Sequence, residues 1–151
     1  MRQSVHLTDL QRAVIIGTLL GDGSLVETVS KNNLRLQIDH CAAQKEYVFW
    51  KYEVLKPLVL SSPAYKSINK SWRFRTISHP ELTEIGKIFY RHRQKIVPKE
   101  ITSLLRPIGL AVWFMAFIKP HCIMTSPVGA FISKRIRKNV SERQFCRLCF
   151  L

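Results

Sequence analysis

An aspartate between two glycines, Gly21-Asp22-Gly23, is the residue of this sequence best placed for chemistry. It follows an apolar run from Ala13 to Leu20, which is typical of a helix buried on most sides. A carboxylate at the C-terminus of a helix meets the negative end of the helix dipole, at a cost of about 0.3–1 kcal/mol, and so requires a compensating cation. Spacing alone leaves two interpretations open: a functional carboxylate, or a turn that contains a polar residue.

The elements around Asp22 follow a repeated order. Thr8 and Gln11 have the spacing of a capping box, so the first helix is expected to begin there. In residues 34–39 apolar and polar side chains alternate, which indicates a strand with one buried face. The expected elements are a helix from Thr8, strands over 25–29 and 34–39, a helix over about 43–56, a hairpin over 64–77, a helix from Ser78 and an apolar helix over 107–118. This order predicts an α+β fold with an antiparallel sheet.

The charge of the chain narrows its possible partners. The 151 residues carry a net charge of +14, and the length favours one domain. Residues 1–50 are neutral overall, whereas 51–100 and 101–151 each carry +7. Such an excess favours a polyanion, with nucleic acid as the first expectation and an anionic membrane surface as the second. No stretch has the roughly 18 apolar residues of a membrane span, and no secretory signal is expected.

Three segments, taken in order, resemble the signature motifs of the LAGLIDADG homing endonucleases. Residues 15–23 resemble the first signature helix, in the branch whose motif is written G-x-L-L-G-D-G, and residues 95–98 resemble its K-x-x-P segment. Residues 104–115 resemble the start of the second signature helix, L-A-x-W-F-M-D-D-G. The resemblance implies the αββαββα fold of that family, with an antiparallel sheet that forms a saddle on DNA. We expect a first repeat over 8–106, a partial second signature helix over 107–118 and a divergent basic tail over 119–151.

The resemblance also implies an activity, which is site-specific, metal-dependent hydrolysis of DNA by an intron-encoded homing endonuclease. In that family the two signature helices pack together, and Gly17 and Gly21, four apart on one face, would permit the close approach. Asp22 would bind a divalent ion, Mg²⁺ by expectation, and Lys95 would stabilise developing charge on the phosphate. Gln37 would position a water or a phosphate. The branch acts on double-stranded DNA as a monomer and is common in mitochondria, with plastids as the alternative location.

The sequence departs from the family at the second motif. Phe117 stands where the second metal-binding aspartate is expected, and no aspartate follows Asp39. We interpret the chain as a truncated or frame-shifted relative, whose cleavage activity is lost or reduced to nicking.

Basic and polar side chains would supply the contacts to DNA. Arginine and glutamine can read guanine and adenine in the major groove, and other cations meet phosphates. Polar residues also face solvent on any half-buried sheet, so that alternative remains open, and His40 has no assigned role. The chain could instead be a maturase that binds its host intron RNA, or a non-catalytic basic nucleic-acid-binding protein. The predicted DNA-binding residues are Arg35, Gln37, Lys66, Arg73, Arg75, Arg91 and Arg93.

Overall fold

A buried helix opens the fold. The computed structural model describes residues 6–28 and 32–116, and its first element is α1 (Asp9–Leu20). The amide of Gln11 donates to Thr8 Oγ1 at 3.2 Å, and the amide of Thr8 donates to Gln11 Oε1 at 3.0 Å. The predicted capping box is therefore confirmed. Every residue from Ala13 to Leu20 is buried, as the continuous apolar run predicts.

Four antiparallel strands form the main sheet, in the order β1-β2-β4-β3. In the register of the sheet, Ser24 lies opposite Gln37, and Gln37 lies opposite Arg75. The predicted α+β fold with an antiparallel sheet is confirmed, whereas residues 29–31 of the first predicted turn lie outside the described residues. The strands are β1 (Ser24–Glu27), β2 (Leu34–Cys41), β3 (Ala64–Lys66) and β4 (Ser71–Arg75).

The two faces of β2 differ in burial. Leu36, Ile38 and His40 are buried on the inner face, and the alternate residues between them are half-buried on the open face. Helix α2 (Lys45–Leu55) packs against the inner face, between two short 3-10 turns. The hydrophobic core lies between this face and the helices, and includes Ile15, Leu19, Leu36, Ile38, Val48, Leu58, Phe74 and Leu82.

Helix α3 (Pro80–Phe89) begins one residue later than the sequence predicts. The capping residue is His79 rather than Ser78, since His79 Nδ1 accepts a hydrogen bond from the amide of Glu81 at 3.2 Å. Proline suits the first helical position because its missing N–H has no helical acceptor there. The prediction of Ser78 as the cap was wrong because an imidazole can take the place of a hydroxyl.

A two-stranded hairpin follows α3, where the sequence indicates only a basic segment. Strands β5 (Tyr90–Arg91) and β6 (Gln94–Lys95) are joined by His92 and Arg93, whose φ angles are 49° and 64°. Neither turn residue is a glycine or asparagine, the usual signal for this conformation, so the hairpin was missed. The Tyr90 hydroxyl accepts a hydrogen bond from the amide of Leu25 at 3.0 Å, which ties the hairpin to the start of β1.

The last described helices are α4 (Ile101–Leu104) and α5 (Pro107–Met115), and α5 packs along α1. A Cβ on Gly17 would lie 2.2 Å from the carbonyl oxygen of Gly109, so the two backbones are in direct contact there. A Cβ on Gly21 would lie 2.9 Å from the Cβ of Ala116. Phe117 and the predicted tail over 119–151 lie outside the described residues. Among the described helices, none is long and apolar enough to cross a membrane.

Candidate active site around Asp22

Asp22 lies in a tight turn that ends α1. The amide of Gly21 donates to the carbonyl oxygens of Gly17 and Thr18, and the amide of Gly23 donates to Thr18 at 3.0 Å. A Cβ on Gly23 would lie 2.4 Å from Thr18 Cγ2, so the close return of the chain requires glycine. The turn leaves one-fifth of the Asp22 side chain exposed.

A buried chain of polar groups leads away from Asp22. His40 Nδ1 lies 2.6 Å from Asp22 Oδ2, and His40 Nε2 lies 2.9 Å from Lys51 Nζ. The His40 and Lys51 side chains are both inaccessible to solvent. Lys51 Nζ also lies 4.3 Å from the ring centre of Tyr47, whose hydroxyl donates to the carbonyl oxygen of Val112 at 2.6 Å. The chain therefore links the carboxylate through α2 to α5.

The donors and acceptors of this chain assign its protons. A lysine ammonium has only donors, so it requires His40 Nε2 to be the unprotonated ring nitrogen. The remaining ring proton is then on Nδ1, where it donates to Asp22 Oδ2. Gln44 Oε1 lies 3.2 Å from the same Nδ1, and Gln44 Nε2 donates to the carbonyl oxygen of Met115 at 3.1 Å. His40 is thus held by three side chains.

The electrostatics of the cluster keep the carboxyl group ionised. Burial would raise the pKa of Asp22, but its interaction and hydrogen bond with His40, and the charge of Lys51, together lower that pKa below its ordinary value. Burial lowers the pKa of Lys51 to about 8, against a weaker opposite effect of Asp22. At neutral pH the cluster therefore contains a carboxylate and an ammonium, joined by one imidazole.

Lys95 lies on the other side of the turn. Its Nζ donates to the carbonyl oxygens of Gly21, at 3.0 Å, and Gly23, at 2.7 Å, which flank Asp22 in the chain. Burial lowers the pKa of Lys95 to about 8, and the charge of Asp22 opposes this shift. The ammonium also meets the negative end of the α1 dipole, and so it is a compensating cation of the kind that an acid at this position requires.

The donor atoms at Asp22 fit a divalent ion of the magnesium type. Asp22 Oδ1 is buried and has no hydrogen-bond partner in the described residues, although Oδ2 is bound by His40. The described residues contain no group of three or more His, Cys, Asp or Glu side chains that could enclose a metal. Mg²⁺ commonly binds one or two carboxylates and completes its shell with waters and substrate phosphates. A single ionised oxygen at Oδ1 is compatible with that coordination.

Among the described residues, the remaining predicted site residues form no hydrogen bond with this cluster. Gln37 lies on the open face of β2, opposite in direction to His40, and its Oε1 accepts a hydrogen bond from Arg75 Nε at 2.9 Å. Arg73 on the same face pairs with Asp39. Arg35 is half-buried, and its Nε has no hydrogen-bond partner in the described residues. The exposed predicted residues are Lys66 on β3, Arg75 on β4, and Arg91 and Arg93 in the β5–β6 hairpin.

Sequence reasoning missed His40, Lys51, Tyr47 and Gln44. Two of them did carry a signal, because each is a polar residue at an apolar position of its pattern. His40 continues the buried alternation of Leu36 and Ile38, and Lys51 lies on the buried stripe of α2 with Val48 and Leu55. A polar group at such a position needs a buried partner.

The chain is similar in sequence to known DNA endonucleases. The model of the LAGLIDADG DNA endonuclease family matches residues 12–117. The DNA endonuclease I-ChuI of Chlamydomonas applanata is 32% identical over 128 residues, which cover 74% of this chain and 58% of that protein. The cytochrome b mRNA maturase bI2 of Debaryomyces hansenii is 24% identical over 112 residues, which cover 68% of this chain and 43% of the maturase.

The fold also matches a solved structure, that of the homing endonuclease I-WcaI bound to its DNA recognition sequence. The TM-score is 0.65 at 24% identity, and the match covers 76% of this chain and 53% of the other. The chain thus spans only about half the length of these relatives.

Proposed function

Because the chain belongs to the LAGLIDADG DNA endonuclease family, we propose that it is an endonuclease of the homing type that hydrolyses phosphodiester bonds in double-stranded DNA. The observation that carries this proposal is Oδ1 of an ionised Asp22, which has no partner among the described residues, at the end of the helix that packs on α5. Such an oxygen is costly to bury unless it binds something.

In the proposed mechanism, Asp22 would hold a divalent ion through Oδ1. The bound ion would polarise the phosphate and lower the pKa of a water nucleophile. Lys95 lies at the same turn, and its charge can stabilise the phosphate as negative charge develops in the transition state. Gln37, on the open face, is proposed to orient DNA or a water there rather than to bind the ion.

The open face of the sheet is the proposed DNA-binding surface. It presents Arg35, Gln37, Arg73 and Arg75 on adjacent strands, and Lys66 extends it on β3. The hairpin residues Arg91 and Arg93 are exposed and can contact phosphates. The net charge of +14 would add affinity that weakens as salt concentration rises.

A matched pair of substitutions tests the catalytic proposal. Asp22→Asn keeps the shape of the side chain and removes the charge, so metal-dependent cleavage or nicking of DNA should be lost. Asp9→Asn, an exposed aspartate at the opposite end of α1, should leave it intact. Both variants would be assayed on supercoiled plasmids from a random-site library, with Mg²⁺ and with EDTA. Cleavage that survives Asp22→Asn would refute the role of Asp22.

A site with a single ion-binding acid should cut only one of the two DNA strands. With Phe117 at the second acidic position, we expect nicked circles rather than linear plasmid as the main product. The same assay separates these products.

A second function, RNA binding by an intron maturase, is favoured by the similarity to the maturase of Debaryomyces hansenii. Arg73 and Arg75 would then contact RNA, and Asp22 would be dispensable. Splicing of the host intron RNA that persists in Asp22→Asn but fails in Arg75→Ala would favour this alternative. Either function would place the protein in an organelle, and we propose the mitochondrion before the plastid.

A further inference from the structure

Asp22 has two carboxylate oxygens with very different surroundings. Oδ2 accepts from His40 Nδ1 at 2.6 Å, whereas Oδ1 is buried and has no partner in the described residues. Since a carboxylate can bind an ion through one oxygen or both, the group that holds Oδ2 decides which mode is open. In this chain that group is His40.

His40 cannot turn away from the carboxylate without losing its other contacts. Its Nε2 accepts from Lys51 Nζ at 2.9 Å, and Gln44 Oε1 lies 3.2 Å from its Nδ1. Its ring is also tilted against Tyr47, with centroids 5.2 Å apart. Lys51 anchors the far side of the ring, and its ammonium requires the same tautomer as the Asp22 carboxylate, with the proton on Nδ1.

A buried lysine is costly, and packing alone does not account for this one. Lys51 is 0% exposed and makes no direct contact with a carboxylate among the described residues. Taking a charged group out of water carries a penalty of several kcal/mol, which an aliphatic residue at this position would avoid. The ammonium lies over the ring of Tyr47 and contacts His40 Nε2, and the second contact constrains the His40 tautomer.

We propose that His40, fixed by Lys51, is a positioning residue that restricts Asp22 to binding a divalent ion through Oδ1 alone and thereby favours Mg²⁺ over Ca²⁺. This inference rests on the metal-binding role of Asp22 in the proposed function. Mg²⁺ requires near-ideal octahedral geometry and few protein ligands, whereas Ca²⁺ readily accepts a carboxylate through both oxygens. A carboxylate with one oxygen blocked therefore selects against the larger ion.

Ion binding to the full-length protein, without DNA, tests the proposal. Tb³⁺ would be titrated and its luminescence, sensitised by nearby aromatic rings such as Tyr47, would be competed separately with Mg²⁺ and Ca²⁺. Asp22→Asn supplies the background from other carboxylates. In His40→Ala, Oδ2 is released, so Mg²⁺ competition should weaken by roughly 10-fold, the usual scale for loss of a partner of a metal ligand. Ca²⁺ competition should weaken less or improve.

Two further variants separate positioning from folding. His40→Asn places an amide donor near the position of Nδ1 and should restore the ratio of Mg²⁺ to Ca²⁺ affinity toward that of the parent. Lys51→Met keeps the length of the side chain but removes the partner that anchors the His40 ring at Nε2, so its ratio should change in the same direction as that of His40→Ala. If His40→Ala does not fold, as judged by circular dichroism, Lys51→Met decides the question.

The outcomes distinguish this inference from the proposed function. A parent-like ratio in every folded variant of His40 and Lys51, or a parent titration identical to that of Asp22→Asn, would overturn the inference. A parent that cleaves no DNA but shows the expected changes in ratio would refute the proposed function and leave the ion-binding inference standing.

Discussion

Two aspartates, Asp22 and Asp39, interact with opposite faces of β2, and their carboxylates are paired differently. On the open face, Asp39 pairs directly with Arg73, and both side chains are about one-quarter exposed. On the inner face, Asp22 has no direct ion pair with a lysine or arginine among the described residues, since Lys51 reaches it through His40 and Lys95 binds the carbonyl oxygens of Gly21 and Gly23 beside it. Its Oδ1 has no partner in the described residues. This difference is the reason that the proposed function assigns the catalytic role to the incompletely paired acid, Asp22, and not to Asp39.

The cluster on the inner face of β2 is held in place by the direct contact of α1 with α5. Among single substitutions, breaking that contact should have the largest effect on the free energy of unfolding. In Gly17→Ala the new Cβ would lie 2.2 Å from the backbone carbonyl of Gly109, which cannot move without shifting α5. We expect a loss of about 3 kcal/mol in the free energy of unfolding, measured by urea denaturation.

Gly86→Ala is the matched control, since Gly86 is also inside a helix. Its Cβ would lie 2.4 Å from Leu34 Cδ1, the far end of a side chain that can rotate. The gain in helix propensity, about 1 kcal/mol, should offset most of that strain. Equal stability of the Gly17 variant and the parent would show that α1 and α5 do not approach as closely as described.

The buried lysine should make stability depend on pH in the alkaline range. In the unfolded chain Lys51 keeps its proton up to its ordinary pKa of 10.5, but in the folded chain it loses the proton near 8. Between these values the unfolded state binds more protons, so stability rises with pH. We expect a rise of about 2 kcal/mol between pH 8 and 10 from Lys51 and a similar rise from Lys95, about 4 kcal/mol together.

Lys51→Met should make this rise shallower, by the part that Lys51 supplies. Lys87→Met is the control, because Lys87 is exposed and pairs only with Glu84 across one turn. Unfolding curves at several pH values up to 10 would measure both. A Lys51→Met slope identical to that of the parent would mean that Lys51 is protonated normally in the folded state.

Of the two faces of β2, the open face was easier to predict from the sequence. Alternation in residues 34–39 and in β4 placed Arg35, Gln37, Arg73 and Arg75 together, because the direction of a side chain on a strand follows from its parity. Asp22 and Lys95 were also found from the sequence, through motifs of local spacing. Asp22 and Lys95 lie at the same turn because of the β5–β6 hairpin, and the sequence of that hairpin lacks the glycine or asparagine that usually indicates such a turn.

The contacts among Asp22, His40 and Lys51 on the inner face could not be predicted from the sequence. Asp22, His40 and Lys51 come from a turn, a strand and a helix, and only tertiary packing brings them to 2.6 and 2.9 Å. The sequence shows that His40 and Lys51 occupy apolar positions, which means that each needs a partner. It does not show which partner, because several buried acceptors would satisfy the pattern equally.

The smallest effect should come from the Asp39–Arg73 pair on the open face. A double-mutant cycle of Asp39→Ala and Arg73→Ala should give a coupling energy below about 1 kcal/mol, as for other partly exposed ion pairs, and lower still in high salt. The exposed Glu84–Lys87 pair provides the reference cycle, with an expected coupling of about 0.3 kcal/mol. A coupling of several kcal/mol between Asp39 and Arg73 would mean that the acids on both faces of β2 are strongly held, which would contradict the comparison.

A weak coupling has a functional consequence, because an arginine that loses little on leaving Asp39 can turn its guanidinium to a guanine or a phosphate. Under the proposed function, Asp39 would then hold Arg73 in place until DNA binds, whereas Asp22 would keep Oδ1 available for the divalent ion.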